Sequence, residues 1–148
     1  ITNQLKKETI SHGAAIVAAQ PIIRQIMTAK QRELGKQGKV VMDGRDIGTV
    51  VFPQADKKFF LDADPEERGR RRFAELKETK QETSADLTTI VKQVVQRDFE
   101  DRNRKIAPLK KANDAILIDT THLSIDQVVL KIMKTINLGP KIFNGPNY

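Results

Sequence analysis

Cysteine is absent from all 148 residues. That excludes disulfide scaffolds, thiolate zinc sites and cysteine nucleophiles together. Tryptophan is also absent, tyrosine occurs once, and aromatic residues make up 5% of the chain. A stacking platform for single-stranded nucleic acid is therefore poorly supported, because each base needs a ring to lie on. The longest unbroken apolar run, residues 14–19, is far too short to span a bilayer. No signal peptide is evident, so the expected setting is the cytoplasm, with no membrane partner. His12 and His122 stand alone, without metal-ligand spacing, and are expected on the surface or in loops, leaving no metal ligand to name. A phosphate-cradling G-x-x-x-x-G-K-[ST] loop is missing as well. Gly35-Lys36 and Gly38-Lys39 lack both the upstream Gly and the following Ser or Thr. The chain begins with Ile1 and not Met, which suggests a removed segment or a piece of a longer protein.

What is present is mostly charge and helical periodicity. Lys and Arg number 26 against 19 Asp and Glu, a formal charge of +7. Hydrophobic residues at 39% and charged ones at 30% fit a globular domain and not a disordered chain. The length suits one domain able to bury a core.

Residues 14–19 lead through Pro21 into Ile22, Ile23, Ile26 and Met27, a helical stripe in which Pro21 either kinks one helix or opens a second. Three short apolar runs predict strands of a parallel sheet: Lys39-Val40-Val41-Met42-Asp43, Lys58-Phe59-Phe60-Leu61-Asp62 and Ala115-Ile116-Leu117-Ile118-Asp119. Three is few for that architecture. Asp64-Pro65-Glu66-Glu67 starts a helix, with Pro at its first position and acids in its first turn. Residues 77–84 read as a polar loop. From Leu87 the apolar spacing i, i+3, i+4, i+7, i+8 predicts a long helix ending before Pro108. Ser124 and Gln127 form a capping-box signature for the last helix. Most of the six Phe residues are expected in the core, and the tail from Gly139 has no periodicity. Strands alternating with helices define an α/β domain.

Three clusters could carry chemistry. In Arg97-Asp98-Phe99-Glu100-Asp101-Arg102-Asn103-Arg104, the residues Arg97, Asp101 and Arg104 fall within an arc of about 60° on one helix face. They form either a solvated face, with intrahelical pairs worth a few tenths of a kcal/mol, or a row of guanidinium forks for phosphate and sugar hydroxyls. Arg68, Arg71 and Arg72 share a second face, where like charges repel unless an anion relieves them. Asp43-Gly44-Arg45-Asp46-Ile47-Gly48-Thr49 follows the first predicted strand, at the end where open α/β sheets place ligands. A turn with a local ion pair would read the same way.

These segments resemble the bacterial cytidylate kinase family. The resemblance runs through Val41-Met42-Asp43-Gly44-Arg45-Asp46-Ile47-Gly48-Thr49-Val50-Val51-Phe52-Pro53, Phe60-Leu61-Asp62-Ala63 and Pro65-Glu66-Glu67-Arg68 with Arg70-Arg71-Arg72. It continues through the Arg97–Arg104 cluster, Ala107-Pro108-Leu109, Asp119-Thr120-Thr121 and Leu123-Ser124-Ile125, from about residue 8 to 137 in family order. It implies the three-layer P-loop nucleoside monophosphate kinase fold with a parallel sheet. The implied reaction is transfer of the ATP γ-phosphoryl group, with Mg²⁺, to CMP or dCMP. Catalysis of this kind is mostly positioning and charge neutralisation.

By position, the resemblance implies that Arg24 and Asp46 read the cytosine ring and that Arg45 and Arg104 clamp the acceptor phosphate. Arg97 and Asp101 would address the pentose. Residues 68–84 would form a lid whose Arg68, Arg71 and Arg72 close over the ATP phosphates, with Arg71 and Arg72 joining Arg45 and Arg104 in catalysis. Residues 1–137 would be the C-terminal part of one kinase domain and 138–148 a flexible tail, in a protein that is monomeric when full length. Ala15 stands where the family carries a Ser, so a hydroxyl is missing near the base. The family's first strand and phosphate-binding loop have no counterpart in the sequence. That strand lies between those expected at 39–43 and 58–62, so the sheet is expected to be incomplete. The chain alone is then expected to bind ATP poorly, to transfer no phosphate, and to fold marginally or associate. The competing reading is a non-catalytic basic module for nucleotides or RNA.

Overall fold

The computed structural model describes residues 13–14, 16–18, 20–78 and 85–136. Ala15, His12, residues 79–84 of the expected lid and the expected tail 138–148 lie outside the described residues.

Residues 13–14 and 16–18 are helical, and the chain bends at Gln20 before helix α1, Pro21–Gly35. Pro21 therefore opens a new helix and does not kink an old one. Gln20 is extended as the N-cap, and the first turn has no use for the N–H that proline lacks. No residue of α1 is buried, and Ile22, Ile26, Met27 and Leu34 are all more than half exposed.

Residues 39–43 form no strand. Gly38 (φ 68°) and Lys39 (φ 55°) turn the backbone through the left-handed region, and Val41 is fully exposed. The physical reason is the lack of a ladder neighbour: a strand's N–H and C=O groups need an adjacent chain. In place of one lies a cavity of about 1110 Å³, lined both by residues 38–45 and by residues 58–62. Beyond Asp46 the backbone winds into a single π-helical turn, Ile47–Val51.

The sheet among the described residues has two strands, not three. Strand β1 (Phe59–Asp62) pairs in parallel with β2 (Ile116–Asp119), Phe59 opposite Ile116 and Asp62 opposite Asp119. Both strands were foreshadowed within a residue by their apolar runs. Ile118 is the most deeply buried side chain at 1% exposure. Lys58 pins the entry to the sheet: its buried Nζ donates to both carboxylate oxygens of Asp114, at 2.9 and 2.7 Å.

Helix α2 (Pro65–Glu78) runs two residues into the stretch expected as loop, and α3 spans Leu87–Asn103. The two make the most extensive contact between elements. Gly69 permits it, because a Cβ there would stand 2.4 Å from Val91 Cγ2 and 3.1 Å from Val91 Cα. Helix α4, Ile125–Thr135, begins with the capping box read from the sequence: Gln127 N donates to Ser124 Oγ at 3.2 Å and Ser124 N to Gln127 Oε1 at 2.8 Å. The buried hydrophobic side chains among the described residues are Val51, Leu76, Ile90 and Ile118. Phe52, Phe59, Phe60 and Phe73 are half-buried and Phe99 is exposed, so the expected phenylalanine core is only partly formed.

Asp86 caps α3 by accepting from Thr89 N at 2.8 Å, and the Thr89 hydrogen bonds hold its carboxyl below the ordinary value of 3.8. A depressed carboxyl stabilises the folded state fully above its unfolded value and loses that effect as pH falls through its folded one. The first turn of α3 is therefore expected to loosen only in acid below pH 3.8. Thr89 amide exchange, corrected for intrinsic rates, measures this. Equal protection at acid and neutral pH would contradict it.

Candidate functional site

Two elements and one turn meet at a chain of alternating charges. From α1, Arg24 Nη2 donates to Asp46 Oδ2 in the turn before the π-helical segment. From the end of α3, Arg104 lies with Nη2 3.7 Å from Asp46 Oδ1 and Nη1 3.7 Å from Asp101 Oδ1. Arg45 Nε donates to Asp101 Oδ2 at 3.0 Å. Five of the six residues expected around the nucleotide thus form one network, although they span 80 positions from 24 to 104 in sequence.

Local structure explains the convergence. The carbonyl of Asp46 accepts the amides of Thr49, Val50 and Val51, which fixes the backbone from which its carboxylate projects. The helix periodicity puts Asp101 and Arg104 on one side of α3, Arg104 being its C-cap. Arg104 Nε reaches the carbonyl of Ala107, holding a tight turn in which Ala107 takes φ 49°. The Asp101 carbonyl accepts Leu109 N at 2.8 Å and closes the same loop.

Burial makes the network consequential. Asp46 and Arg24 are only 12% and 14% exposed, whereas Arg45 is 44% exposed and open to an incoming group. Burial, and then the neighbouring Arg24, push the Arg104 guanidinium below its ordinary value, against the pull of Asp46 and Asp101. Its Nη2 is the buried side-chain nitrogen or oxygen that finds no hydrogen-bond partner among the described residues. A desolvated donor without an acceptor is costly and invites an anion.

Arg97 does not join this network. It is exposed, its side chain makes no hydrogen bond or ion pair with a described residue, and it does not line the cavity.

The arginines of α2 are placed differently from one another. Arg68 forks onto both carboxylate oxygens of Asp98, with Nη2 2.9 Å from Oδ1, and so joins α2 to α3. Arg71 donates to the carbonyls of Thr120 and Thr121 at 2.6 and 3.1 Å, to Thr120 Oγ1 at 3.2 Å, and to Glu67. It ties the helix to the end of β2, where Thr120 also bonds the Asp62 carbonyl closing β1. Arg72 pairs with Glu75 one turn along the same helix, at 2.8 Å. Arg68 and Arg71 line the large cavity together with Arg45, which alone of the charged network faces it; Arg72 does not.

Sequence reasoning missed several partners. Asp98, Thr120 and Thr121 lay inside the quoted motifs without a role, and nothing in the sequence set Asp98 apart from the neighbouring acids Glu100 and Asp101. Lys58 and Arg32 gave no signal, because their acceptors are main-chain oxygens or lie far along the chain.

A family model described as cytidylate kinase matches residues 1–138. A cytidylate kinase of Geobacillus sp. (strain WCH70) is 49% identical over 137 residues, covering 93% of this chain and 60% of the relative. One from Maridesulfovibrio salexigens is 44% identical over 141 residues, 93% and 62% of the two chains. One from Solibacter usitatus is 41% identical over 148 residues, 100% and 63%. The chain thus spans about three fifths of the length of the curated relatives it matches.

Proposed function

The chain belongs to the cytidylate kinase family, and from that premise we propose that it serves ATP-dependent phosphorylation of CMP and dCMP to the diphosphates. A phosphate oxygen of the acceptor attacks the γ-phosphorus of ATP, the bond to the β-phosphate oxygen breaks, and ADP leaves with that oxygen. The fold proposed is the three-layer P-loop nucleoside monophosphate kinase architecture. Residues 1–137 would form the later part of one such domain, 68–84 its lid and 138–148 a tail. We place the protein in the cytoplasm as a monomer when complete; no described helix is long and apolar enough to cross a membrane.

The single observation that carries this reading is the unsatisfied Nη2 of Arg104, buried within a network of three arginines and two aspartates. Such a donor fits a phosphate oxygen, and Arg45 beside it is accessible for a second contact. Asp46 and Arg24 offer an acceptor and a donor side by side. Cytosine presents an N4 amino donor and ring acceptors to such a pair, whereas uracil sets its O4 acceptor against the carboxylate. Asp101, with Arg97 on the same helix face, would meet the pentose. Arg68, Arg71 and Arg72 are the ATP-side candidates. For Arg71, reaching a phosphate means releasing the Thr120 and Thr121 carbonyls.

Mg²⁺ belongs to the reaction as part of the MgATP co-substrate, where it neutralises phosphate charge. Among the described residues no three of His, Asp and Glu gather so as to hold a metal ion.

Two measurements on the 148-residue chain test the reading. In titrations at constant salt, CMP is expected to bind at least about 10-fold more tightly than UMP, since the wrong base leaves buried polar groups unpaired. In a coupled assay with ATP and CMP, no turnover is expected, because the sequence holds no loop to cradle a triphosphate. Near-normal turnover would overturn the second expectation. Equal binding of CMP and UMP, with RNA binding that falls steeply with salt, would replace the reading with a basic nucleic-acid module.

A further inference from the structure

Helix α1 does more than deliver Arg24. Eight residues further on, about 12 Å along the helix axis, Arg32 of the same helix reaches the other end of the segment that Asp46 begins. Its Nε donates to the Val51 carbonyl at 3.0 Å and its Nη2 to the Val50 carbonyl at 2.7 Å. These are the last two residues of the π-helical turn Ile47–Val51. The turn's opening amides, Thr49, Val50 and Val51, converge on the Asp46 carbonyl at 3.3, 2.8 and 3.2 Å, and Phe52 N closes onto Ile47 O at 2.7 Å. One residue past the turn, the Phe52 ring lies over Gly35 so closely that a Cβ there would stand 2.3 Å from Cζ. A single helix therefore grips this segment at three successive points: the Asp46 carboxylate, the Val50 and Val51 carbonyls, and the Phe52 ring.

Carbonyls at the end of a helical turn have no intrahelical donor. A π-helical turn is also a rare, weakly self-supporting conformation that persists when its surroundings hold it. Arg32 provides that hold with a fork of two charge-assisted bonds. We propose that Arg32 is a positioning residue for base specificity: by pinning the end of the π-helical turn, it fixes the Asp46 carboxylate against Arg24 in the orientation that tells cytosine from uracil. The inference rests on the proposed reading of Arg24 and Asp46 as the base-recognising pair. Arg32 itself touches no nucleotide in this account. Arg104 is the C-cap of α3 and Arg45, although next to Asp46 in the turn, is tied to that helix through Asp101, so phosphate binding should suffer less than base choice when Arg32 is lost.

The test uses Arg32→Ala and Arg32→Lys in the 148-residue chain, titrated with CMP, UMP and ribose 5-phosphate. Arg32→Ala is expected to weaken CMP binding about 10-fold, roughly the loss of one charge-assisted hydrogen bond. UMP and ribose 5-phosphate should change by less than about twofold, so that the CMP/UMP ratio collapses. Arg32→Lys, which keeps the charge but loses the planar fork, should restore part of the ratio. Faster amide exchange at Val50, Val51 and Phe52 in Arg32→Ala should accompany the change. Equal weakening of all three ligands would reveal a merely structural residue and overturn the inference, as would unchanged exchange at those amides. If the unsubstituted chain discriminates and Arg32→Ala discriminates equally well, this inference alone falls. If the unsubstituted chain does not discriminate, the reading of Arg24 and Asp46 falls and takes this one with it.

Discussion

Arg104→Met is expected to weaken binding of CMP to this chain by about 100-fold while changing cytidine binding by less than about threefold. The asymmetry follows from geometry. The unsatisfied Nη2 of Arg104 is the donor suited to a phosphate oxygen, whereas cytidine has no phosphate to offer it. Loss of one charge-assisted bond at about 3 kcal/mol, the upper end for a bond between charged groups, accounts for the factor. Met retains the aliphatic stem but forfeits the Nε bond to the Ala107 carbonyl, so the φ 49° turn there should relax as well. Arg104→Lys separates the two effects: it keeps the charge, loses the fork, and should fall between parent and Met variant. Calorimetric titration of each variant with CMP and cytidine is the measurement. Equal losses for both ligands would mean that Arg104 holds the loop and does not receive the phosphate.

Gly69→Val should produce the largest loss of stability, about 1–3 kcal/mol, or roughly 2–12 °C in Tm for a chain of this size. The added Cβ would stand 2.4 Å from Val91 Cγ2, which can rotate aside, but also 3.1 Å from Val91 Cα, which cannot. Helices α2 and α3 must therefore separate, and the Arg68–Asp98 bridge between them must stretch with them. Val91→Ala on the Gly69→Val background should recover part of the loss, because the two sites share one contact and their effects do not add. Thermal unfolding of the single and double variants decides it. A Gly69→Val chain as stable as its parent would show that the helices are not in fact held at that spacing.

Where a signal was local, the sequence was readable. The Ser124–Gln127 box and the Leu87 periodicity each became the element they predicted, because a cap and an apolar helix face need only near neighbours; the apolar runs at 58–62 and 115–119 became strands because each found the other as a ladder partner. Residues 39–43 had a strand's composition and are no strand, since pairing needs an adjacent chain that composition does not provide. The turn at Ile47–Val51 was invisible: its i to i+5 bonds occupy one turn and leave no repeating pattern. The site shows the same division. Asp101 and Arg104 were legible as one face of a helix, and the resemblance brought Arg24, Arg45 and Asp46 to them. The partners of Arg68 and Arg71 were not legible. One is a carboxylate thirty residues away, and the others are main-chain carbonyls at the end of a strand, which no side-chain pattern marks.

The cavity against β1 has a colloidal consequence. Val41 stands fully exposed on one wall and the four-residue β1 forms another, so each copy presents apolar surface beside a strand with one ladder partner among the described residues. Exposed surfaces of that kind favour contact between copies. A formal charge of +7 opposes it by mutual repulsion. Repulsion acts over a Debye length, about 10 Å at 0.1 M salt and about 3 Å at 1 M, whereas apolar attraction is not screened. Dispersal of the chain in solution is therefore a function of ionic strength: the charge that keeps copies apart in dilute buffer is the first thing added salt removes.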